Sequence, residues 1–175
     1  MDRTLVMRNA KKSDRVALSE LAIQTYADAF GHTLSDTDFT AHVQQHLSPS
    51  RFSRIIDEDV VLVAEVGNRL IGSVQFGVAP PSSVPNTAQE VRRLYVHRDF
   101  QHAGVGTSLR DAALRHPRLH EAASISLEVW ECNHGAQRFY RRYGFAVLGT
   151  RPFAVASGAA TSLDFVMVRR SAPAG

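Results

Sequence analysis

Two glycines, spaced two residues apart, stand between a predicted strand and a predicted helix. Residues 101–107 read QHAGVGT, and they follow a β-branched run and precede the helix-forming segment SLRDAAL. A strand that turns through glycines into a helix directs several backbone N–H groups at one spot, and the helix dipole favours phosphate there. Gly104 and Gly106 let a ligand approach the backbone without an intervening side chain, and Thr107 can add a hydroxyl. This segment therefore predicts a phosphate-binding turn.

Two common phosphate-binding loops do not fit this turn. The chain has no Gly-Lys-Ser/Thr sequence, which excludes a P-loop. The residue three positions after Gly106 is Leu109, so the G-x-G-x-x-G pattern of dinucleotide-binding folds is also absent.

The surrounding sequence resembles the GCN5-related N-acetyltransferase (GNAT) family. The stretch EVRRLYVHRDFQHAGVGTSL is similar to motif A, in which Gln or Arg, two residues, Gly, one residue and Gly or Ala follow a strand. The stretch LEVWECNHGAQRFYRRYGF is similar to motif B, a strand followed by Asn, small residues, Phe-Tyr and Gly-Phe. The resemblance covers essentially the whole chain. It implies an α/β (α+β) fold with a mixed, mostly antiparallel sheet of about seven strands, flanked by helices, with a splayed central parallel pair.

The resemblance implies acetyl-coenzyme A as cosubstrate and assigns its contacts. The pantetheine arm would pair with backbone around Leu94, Tyr95 and Val96 and contact Asn133, and Phe139 would pack beside the cofactor or in the core. The pyrophosphate would bind the turn, whose residues are Gln101, His102, Ala103, Gly104, Val105, Gly106 and Thr107. Many members carry glycine and a basic residue where this chain has His102 and Ala103. A side-chain contact to phosphate is then lost, unless His102, Arg98 or Arg138 replaces it.

Acetyl transfer to an amine requires a base and an acid. An alkylamine of pKa ~10.4 is protonated at pH 7, and removing that proton costs roughly 4 to 5 kcal/mol, which a general base supplies. Glu90 stands where many family members place a glutamate base, and Glu128 is the alternative. A tyrosine can donate a proton to the leaving thiolate. Tyr140 matches the family's tyrosine, and Tyr143, three residues later, is its competitor.

Other chemistries remain open at this point. A covalent acyl-cysteine at Cys132, activated by His134, would replace direct attack in a ternary complex. A non-catalytic acyl-coenzyme A sensor would use the same pocket without turnover. His42 and His46 have the spacing of metal ligands on a helix, but no H-E-x-x-H pattern or third ligand accompanies them. We expect them on a solvated helix face and expect no metal.

The leading helices are expected to border the acceptor site. Residues 24–58 resemble, more loosely, the PaiA type of bacterial polyamine N-acetyltransferases. This resemblance implies that Tyr26 and Phe30 line the acceptor channel and that carboxylates of residues 57–59 or Asp36 receive a polycation such as spermidine or spermine. Protein N-terminal or lysine amines and antibiotic amines are the alternatives.

Composition bounds the remaining expectations. The 175 residues, 44% hydrophobic and 21% charged, suit one domain, predicted over residues 1–170 with a frayed tail at 171–175. A net charge of +3 without clustered arginines argues against nucleic acid as a partner. Apolar runs are too short for a membrane span, and the single cysteine fits a reducing cytoplasm. The expected partner is a small-molecule amine, and the expected state is a monomer or homodimer.

Local signals predict where elements begin and end. Ser35 with Asp38 has the pattern of a capping box, and Ser48-Pro49 reads as an N-cap followed by proline in the first helical position. Gly67-Asn68 predicts a tight hairpin turn. A helix is predicted to end before Pro117, and another at Gly144.

Overall fold

The computed structural model describes residues 4–32, 34–80, 88–154 and 160–171. The strands are β1 Leu5–Asn9, β2 Val60–Val66, β3 Arg69–Val78, β4 Gln89–Val96, β5 Ser124–Trp130, β6 Ala146–Ala154 and β7 Ala160–Arg170. The α-helices are α1 Arg15–Phe30, α2 Asp36–His42, α3 Pro49–Glu58, α4 Val105–Arg115, α5 Pro117–His120 and α6 His134–Arg141. Two 3-10 turns, Lys12–Asp14 and Arg98–Phe100, and a π-helical turn, Val43–Leu47, complete the described elements.

The strands form one sheet of seven in the order β1-β2-β3-β4-β5-β7-β6. The pairs β1–β2, β2–β3, β5–β7 and β6–β7 are antiparallel, whereas β4 and β5 pair in parallel. The parallel register joins Gln89–Val91 of β4 to Ile125–Leu127 of β5, although β4 itself continues to Val96. The predicted α/β fold, with about seven mixed strands and a central parallel pair, is confirmed.

The chain divides into two compact units. Unit 1 contains Met1–Phe76 and Arg93–His116, and unit 2 contains Gly77–Arg92 and Pro117–Gly175, so the boundary crosses β4. The prediction of a single domain over residues 1–170 stays a prediction. Residues 172–175 of the predicted tail lie outside the described residues.

The helices of unit 1 begin where the capping signals place them. Ser35 accepts a hydrogen bond from the backbone N–H of Asp38 at 3.1 Å, and Ser48 accepts one from Arg51 at 3.3 Å ahead of Pro49. Each serine satisfies a backbone N–H that has no partner within its helix. The helices cover β2 and bury a core of Leu18, Ala22, Tyr26, Leu47, Phe52, Ile55, Val61 and Val63.

Gly72 in β3 sets the distance at which α4 packs on unit 1. A Cβ atom at this position would lie 2.8 Å from Leu109 Cδ1, 3.1 Å from the Tyr95 carbonyl oxygen and 3.2 Å from Val105 Cγ1. Leu109 and Val105 are themselves buried at 0% and 4% exposure, so they have little room to move. The missing side chain therefore lets the glycine turn and the start of α4 rest directly on the sheet.

Unit 2 is built on the antiparallel strands β5, β7 and β6. Ile125, Leu127 and Val129 of β5 and Val166 and Met167 of β7 are buried. Gly144, with φ of 84°, follows α6 in the left-handed conformation that such a helix end favours.

Two elements differ from the local signals. The helix α4 ends at Arg115, before Pro117, as predicted, but Pro117 also begins the short helix α5. Proline is well tolerated in a first helical turn, where its missing N–H costs no hydrogen bond. The π-helical turn at Val43–Leu47 had no sequence signal. No helix in the described part of the chain is long and apolar enough to cross a membrane.

Candidate active site

The glycine turn of unit 1 holds the conformation from which α4 begins. His102 and Gly104 adopt left-handed backbone, with φ of 63° and 84°, and Gly104 is the N-cap of α4. Gln101 fastens the turn to the strand, because its Nε2 donates to the Val96 carbonyl at 3.2 Å. The first N–H groups of α4, from Val105 onward, then face the turn without acceptors inside the helix.

The two glycines of the turn are not explained by packing within the protein. A Cβ at Gly104 would meet no heavy atom of the described chain within 4 Å, and one at Gly106 would lie an ordinary 3.6 Å from Val96 Cγ2. At Gly72, by contrast, a Cβ atom would lie too close to its neighbours, so packing explains that glycine. The space above Gly104 and Gly106, next to exposed helix N–H groups, is suited to a bulky anion such as a pyrophosphate. The residues present therefore fit coenzyme A.

His102 holds its left-handed conformation although it carries a side chain. Non-glycine residues pay roughly 1 to 2 kcal/mol for this backbone region. Many members of the family that this turn resembles carry glycine at this position, which agrees with the positive φ of His102. The His102 ring is exposed, so it can reach a ligand bound at the turn.

His97, which sequence reasoning did not single out, anchors the entrance to the turn. It is 5% exposed, its N–H donates to the Ile71 carbonyl at 2.8 Å, and its Nε2 lies 2.7 Å from Arg69 Nη2. Since the guanidinium can only donate, Nε2 must accept. The only signal in the sequence was a histidine directly after the β4 run.

The three β4 residues assigned to the pantetheine arm point their side chains in different directions. The Tyr95 ring packs against the unit 1 core beside Tyr26, and burial raises its pKa. Val96 lies on the side of Gly106. Leu94 is half-buried. Because side chains alternate along a strand, a ligand that pairs with β4 like an added strand would contact all three residues only through their backbone groups.

The residues predicted to line the acceptor channel lie in an aromatic cluster. Tyr26 is 6% exposed, with ring centroids 4.9 Å from Phe30, 5.7 Å from Phe39 and 4.1 Å from His42. Burial, with the charges of Tyr95 and Asp38, raises the Tyr26 pKa to about 12. Tyr26 is thus part of the core, and Phe30 packs on it half-buried.

The expectation that His42 lies on a solvated helix face is wrong. Its ring stacks on Tyr26 with an interplanar angle of 1°, and it is half-buried. Burial next to His46 and Arg93 lowers the His42 pKa to about 4. No group of three or more His, Cys, Asp or Glu residues with metal-binding geometry occurs in the described ranges.

The two candidate bases lie on one face of unit 2. Glu90 pairs with Ser126 in the parallel register, and Glu128, two residues beyond Ser126, shares that face. Glu90 is half-buried and its Oε2 is buried, whereas Glu128 is exposed and forms an ion pair with Arg151 at 3.2 Å. Strand alternation therefore does not separate them, but burial does.

The motif B residues are held together at α6. Asn133 caps this helix, its Oδ1 accepting from the Ala136 N–H at 3.0 Å, which leaves its Nδ2 as the atom able to serve a ligand. Phe139 contacts Tyr140 and Tyr143 with centroids 5.2 and 5.3 Å apart. Tyr140 also lies 5.7 Å from Phe145, and Phe139, Tyr140 and Tyr143 are all half-buried. Cys132, just before the helix, is exposed.

Comparison with known proteins decides the family. The model of the acetyltransferase (GNAT) family matches residues 20–145, which include the glycine turn and all of α6. The chain belongs to the GNAT family. An uncharacterized N-acetyltransferase of Mycobacterium tuberculosis is 29% identical over 164 residues, covering 90% of this chain and 97% of that protein. The enzyme is an N-acetyltransferase that depends on acetyl-coenzyme A.

Two further comparisons bear on this GNAT enzyme. The structure of PaiA N-acetyltransferase from Thermoplasma acidophilum in complex with coenzyme A superimposes with a TM-score of 0.78 at 20% identity, covering 96% of this chain and 99% of that one. A protein of Bacillus subtilis subsp. natto named "probable spermine N(1)-acetyltransferase" is 29% identical over 87 residues, which cover 48% of this chain and 57% of that protein.

An acidic side chain at position 106 should separate cofactor binding from folding. We expect Gly106→Asp to unfold near the wild-type temperature, because a carboxylate in the first turn of a helix is favourable, but to bind coenzyme A at least about tenfold more weakly, because that carboxylate repels the pyrophosphate. Calorimetric titration with coenzyme A and thermal unfolding measure the two effects.

Gly72→Ala is the control at a glycine that packing requires. It should lower the free energy of unfolding by about 1 to 3 kcal/mol through overpacking against Leu109. Wild-type coenzyme A affinity in Gly106→Asp would contradict the assignment of the turn.

Proposed function

We propose that this enzyme transfers an acetyl group to a primary amine by direct attack in a ternary complex. Bound acetyl-coenzyme A supplies an activated thioester. Glu90 accepts the amine proton, directly or through water, the new N–C bond forms as the C–S bond breaks, and Tyr140 donates a proton to the departing sulfur. A backbone N–H of β4 near Leu94 stabilises the carbonyl oxygen as it gains charge.

The observation that carries this proposal is the environment of Glu90. Its Oε2 atom is buried in β4, whereas the competing carboxylate of Glu128 is exposed and ion-paired with Arg151. Asn133 and Phe139 belong to the cofactor site in this proposal, together with Leu94–Val96 and the turn Gln101–Thr107. The exposed Cys132 has no part in it.

A polyamine such as spermidine or spermine is the acceptor that the comparisons favour. Support comes from the partial likeness to the spermine N(1)-acetyltransferase and from the PaiA structure. The described carboxylates offer less support. Asp57 is paired with Lys12, and Asp59 accepts a hydrogen bond from Gln75 at 2.6 Å. Asp36, in the first turn of α2, remains exposed.

An acceptor panel tests this proposal. Purified protein with acetyl-coenzyme A is offered spermidine, spermine, putrescine, peptides with varied N-termini and an aminoglycoside, and thiol release is recorded. We expect turnover with at least one amine class, with the polyamines first. Turnover of peptides alone would move the acceptor to protein amines. Cofactor binding with no turnover on any amine would favour a non-catalytic sensor and contradict the proposed activity.

Glu90→Gln should remove the base while leaving the cofactor site intact. We expect kcat to fall by about 10² to 10⁴-fold near pH 7 and the acidic limb of the pH–rate profile to disappear, since that limb reports protonation of the base. Glu128→Gln is the control and should keep the limb. If the limb persists in Glu90→Gln and is lost in Glu128→Gln, the roles are exchanged.

Tyr140→Phe should lower kcat with little change in the dissociation constant of coenzyme A, because only the hydroxyl that protonates the sulfur is removed and the ring contacts with Phe139 and Phe145 remain. Tyr143→Phe, three residues later and just beyond the end of α6, is the matched variant and should be nearly silent. Full kcat in Tyr140→Phe would take Tyr140 out of the mechanism. Steady-state kinetics and calorimetry provide both quantities.

A further inference from the structure

Arg93 is a half-buried cation in unit 1 without an ion-pair partner among the described carboxylates. Its Nη1 donates to Gln75 Oε1 at 2.5 Å, and the Tyr95 hydroxyl is its other side-chain partner. Gln75, 4% exposed, in turn donates to Asp59 Oδ2 at 2.6 Å. The neutral amide of Gln75 thus holds the guanidinium in place and stands between it and the Asp59 carboxylate. A held, uncompensated arginine is what an anion-binding site requires.

His42 and His46 lie within range of the charge of this arginine: Arg93 bonds to Tyr95, Tyr95 packs on the core cluster that contains Tyr26, and the His42 ring stacks on Tyr26. Neither histidine has a hydrogen-bond partner within the described part of the chain. Their ring centroids are 4.7 Å apart, and both rings are half-buried. Burial and the charge of Arg93 lower the pKa of each, that of His42 to about 4. Both rings are therefore neutral at pH 7, each with a nitrogen able to donate. Half-buried polar groups without partners are typical of places where a ligand or water completes the structure.

The backbone and the neighbouring charges mark the same place. His42 ends α2, and His46 lies in the π-helical turn Val43–Leu47, an irregularity that is frequent at functional sites. Arg51 acts on His46 and is compensated in part by Glu58 at 4.0 Å. Asp38 acts on Tyr26 and accepts a hydrogen bond from Ser35. The charge facing the two histidines is therefore positive.

We infer that Arg93, His42 and His46 form a binding site for an organic carboxylate. A guanidinium matches a carboxylate in a bidentate geometry, and each imidazole can add one hydrogen bond. The His42 ring stacks on Tyr26, which also packs against Phe39. This aromatic surface suits a carbon chain better than an inorganic phosphate. A single uncompensated arginine also matches one negative charge rather than two.

Carboxylate binding at this site is coupled to proton uptake. The bound anion offsets the field of Arg93, so the pKa of His42 and His46 rises in the complex. Because the complex then binds more protons than the free protein, carboxylate affinity increases as pH falls from neutral toward about 5, and below that pH protonation of the ligand's own carboxylate removes the gain. The groups that face the histidines and could alter this coupling are Arg51, Tyr26, Tyr95 and Asp38.

The site goes beyond the proposed amine acetylation, and its carboxylate has two possible sources. It can belong to an acceptor that carries both an amine and a carboxylate, or to a separate effector that is not acetylated. A polyamine, which has no carboxylate, would not use it.

Proton NMR of the histidine C2–H signals tests the site on the full chain. The signals are assigned with His42→Phe and His46→Phe and titrated with pH in the presence of butyrate, 4-aminobutyrate, butylamine or inorganic phosphate. We expect butyrate and 4-aminobutyrate, but not butylamine, to raise the His42 pKa by about one unit or more. No rise with either carboxylate overturns the inference, and an equal effect of phosphate overturns the carboxylate class.

Arg93→Gln should abolish this rise, whereas Arg92→Gln should keep it. Arg92 is the adjacent residue of β4, with the same charge and opposite side-chain direction, and it donates to the Val78 carbonyl. If Arg93→Gln does not fold, His42→Phe tests the same point, since it keeps the stack on Tyr26 and should weaken butyrate binding about tenfold by calorimetry. An unchanged response in Arg93→Gln, or unchanged affinity in His42→Phe, contradicts the site.

Turnover with acetyl-coenzyme A then distinguishes the two sources. Acetylation of 4-aminobutyrate in preference to butylamine, lost in Arg93→Gln, assigns the carboxylate to the acceptor. Binding without acetylation assigns it to an effector. Since butyrate binding is read without turnover, failure of the acetyltransferase proposal and failure of this site are separate results.

Discussion

The transition from β4 to α4 is the constraint on which the cofactor site depends. A helix that begins directly after a strand leaves N–H groups without internal acceptors, and these groups need solvent, a side chain or a ligand. In this chain Gly104 caps the helix in a left-handed conformation and Gly106 leaves the adjoining space open. The rest of unit 1 supports that arrangement. Gly72 brings α4 onto β3, and His97 fixes the end of β4 against Arg69.

The same strand β4 also serves the helices of unit 1. Tyr95 continues the aromatic core of Tyr26 and Phe39, and Arg93 brings a positive charge next to His42 and His46. The core of unit 1 therefore includes a polar edge, made of one arginine, two neutral imidazoles and a glutamine. Such groups lower stability unless they are satisfied, so they are retained where a ligand satisfies them.

In unit 2, Glu90 and Glu128 lie on the same face of the sheet but have different surroundings. Glu128 is exposed and bound to Arg151, whereas an oxygen of Glu90 is buried. Asp164 is a third acidic residue of unit 2. Burial and the charges of Glu128 and Glu131 raise its pKa to about 6. Arg151 of β6, which pairs with Glu128, offsets part of the repulsion among these carboxylates.

The sequence by itself determined the elements with strong local signals. Ser35 and Ser48 cap their helices, Gly67-Asn68 turns its hairpin and Gly144 follows α6, because each of these effects acts between residues close along the chain. The spacing of Gly104 and Gly106 after a β-branched run predicted a phosphate-binding turn, and the left-handed Gly104 at the start of α4 fits that prediction.

Only the tertiary structure decided what lies beside what. His42 appeared to be a surface residue because helical spacing does not show which neighbour covers it, and it proved to stack on Tyr26. Glu128 forms its ion pair with Arg151, which comes from a different strand. The charge beside His42 comes from Arg93, about fifty residues later in the chain. Burial and electrostatics are set by such long-range contacts, which no local pattern encodes.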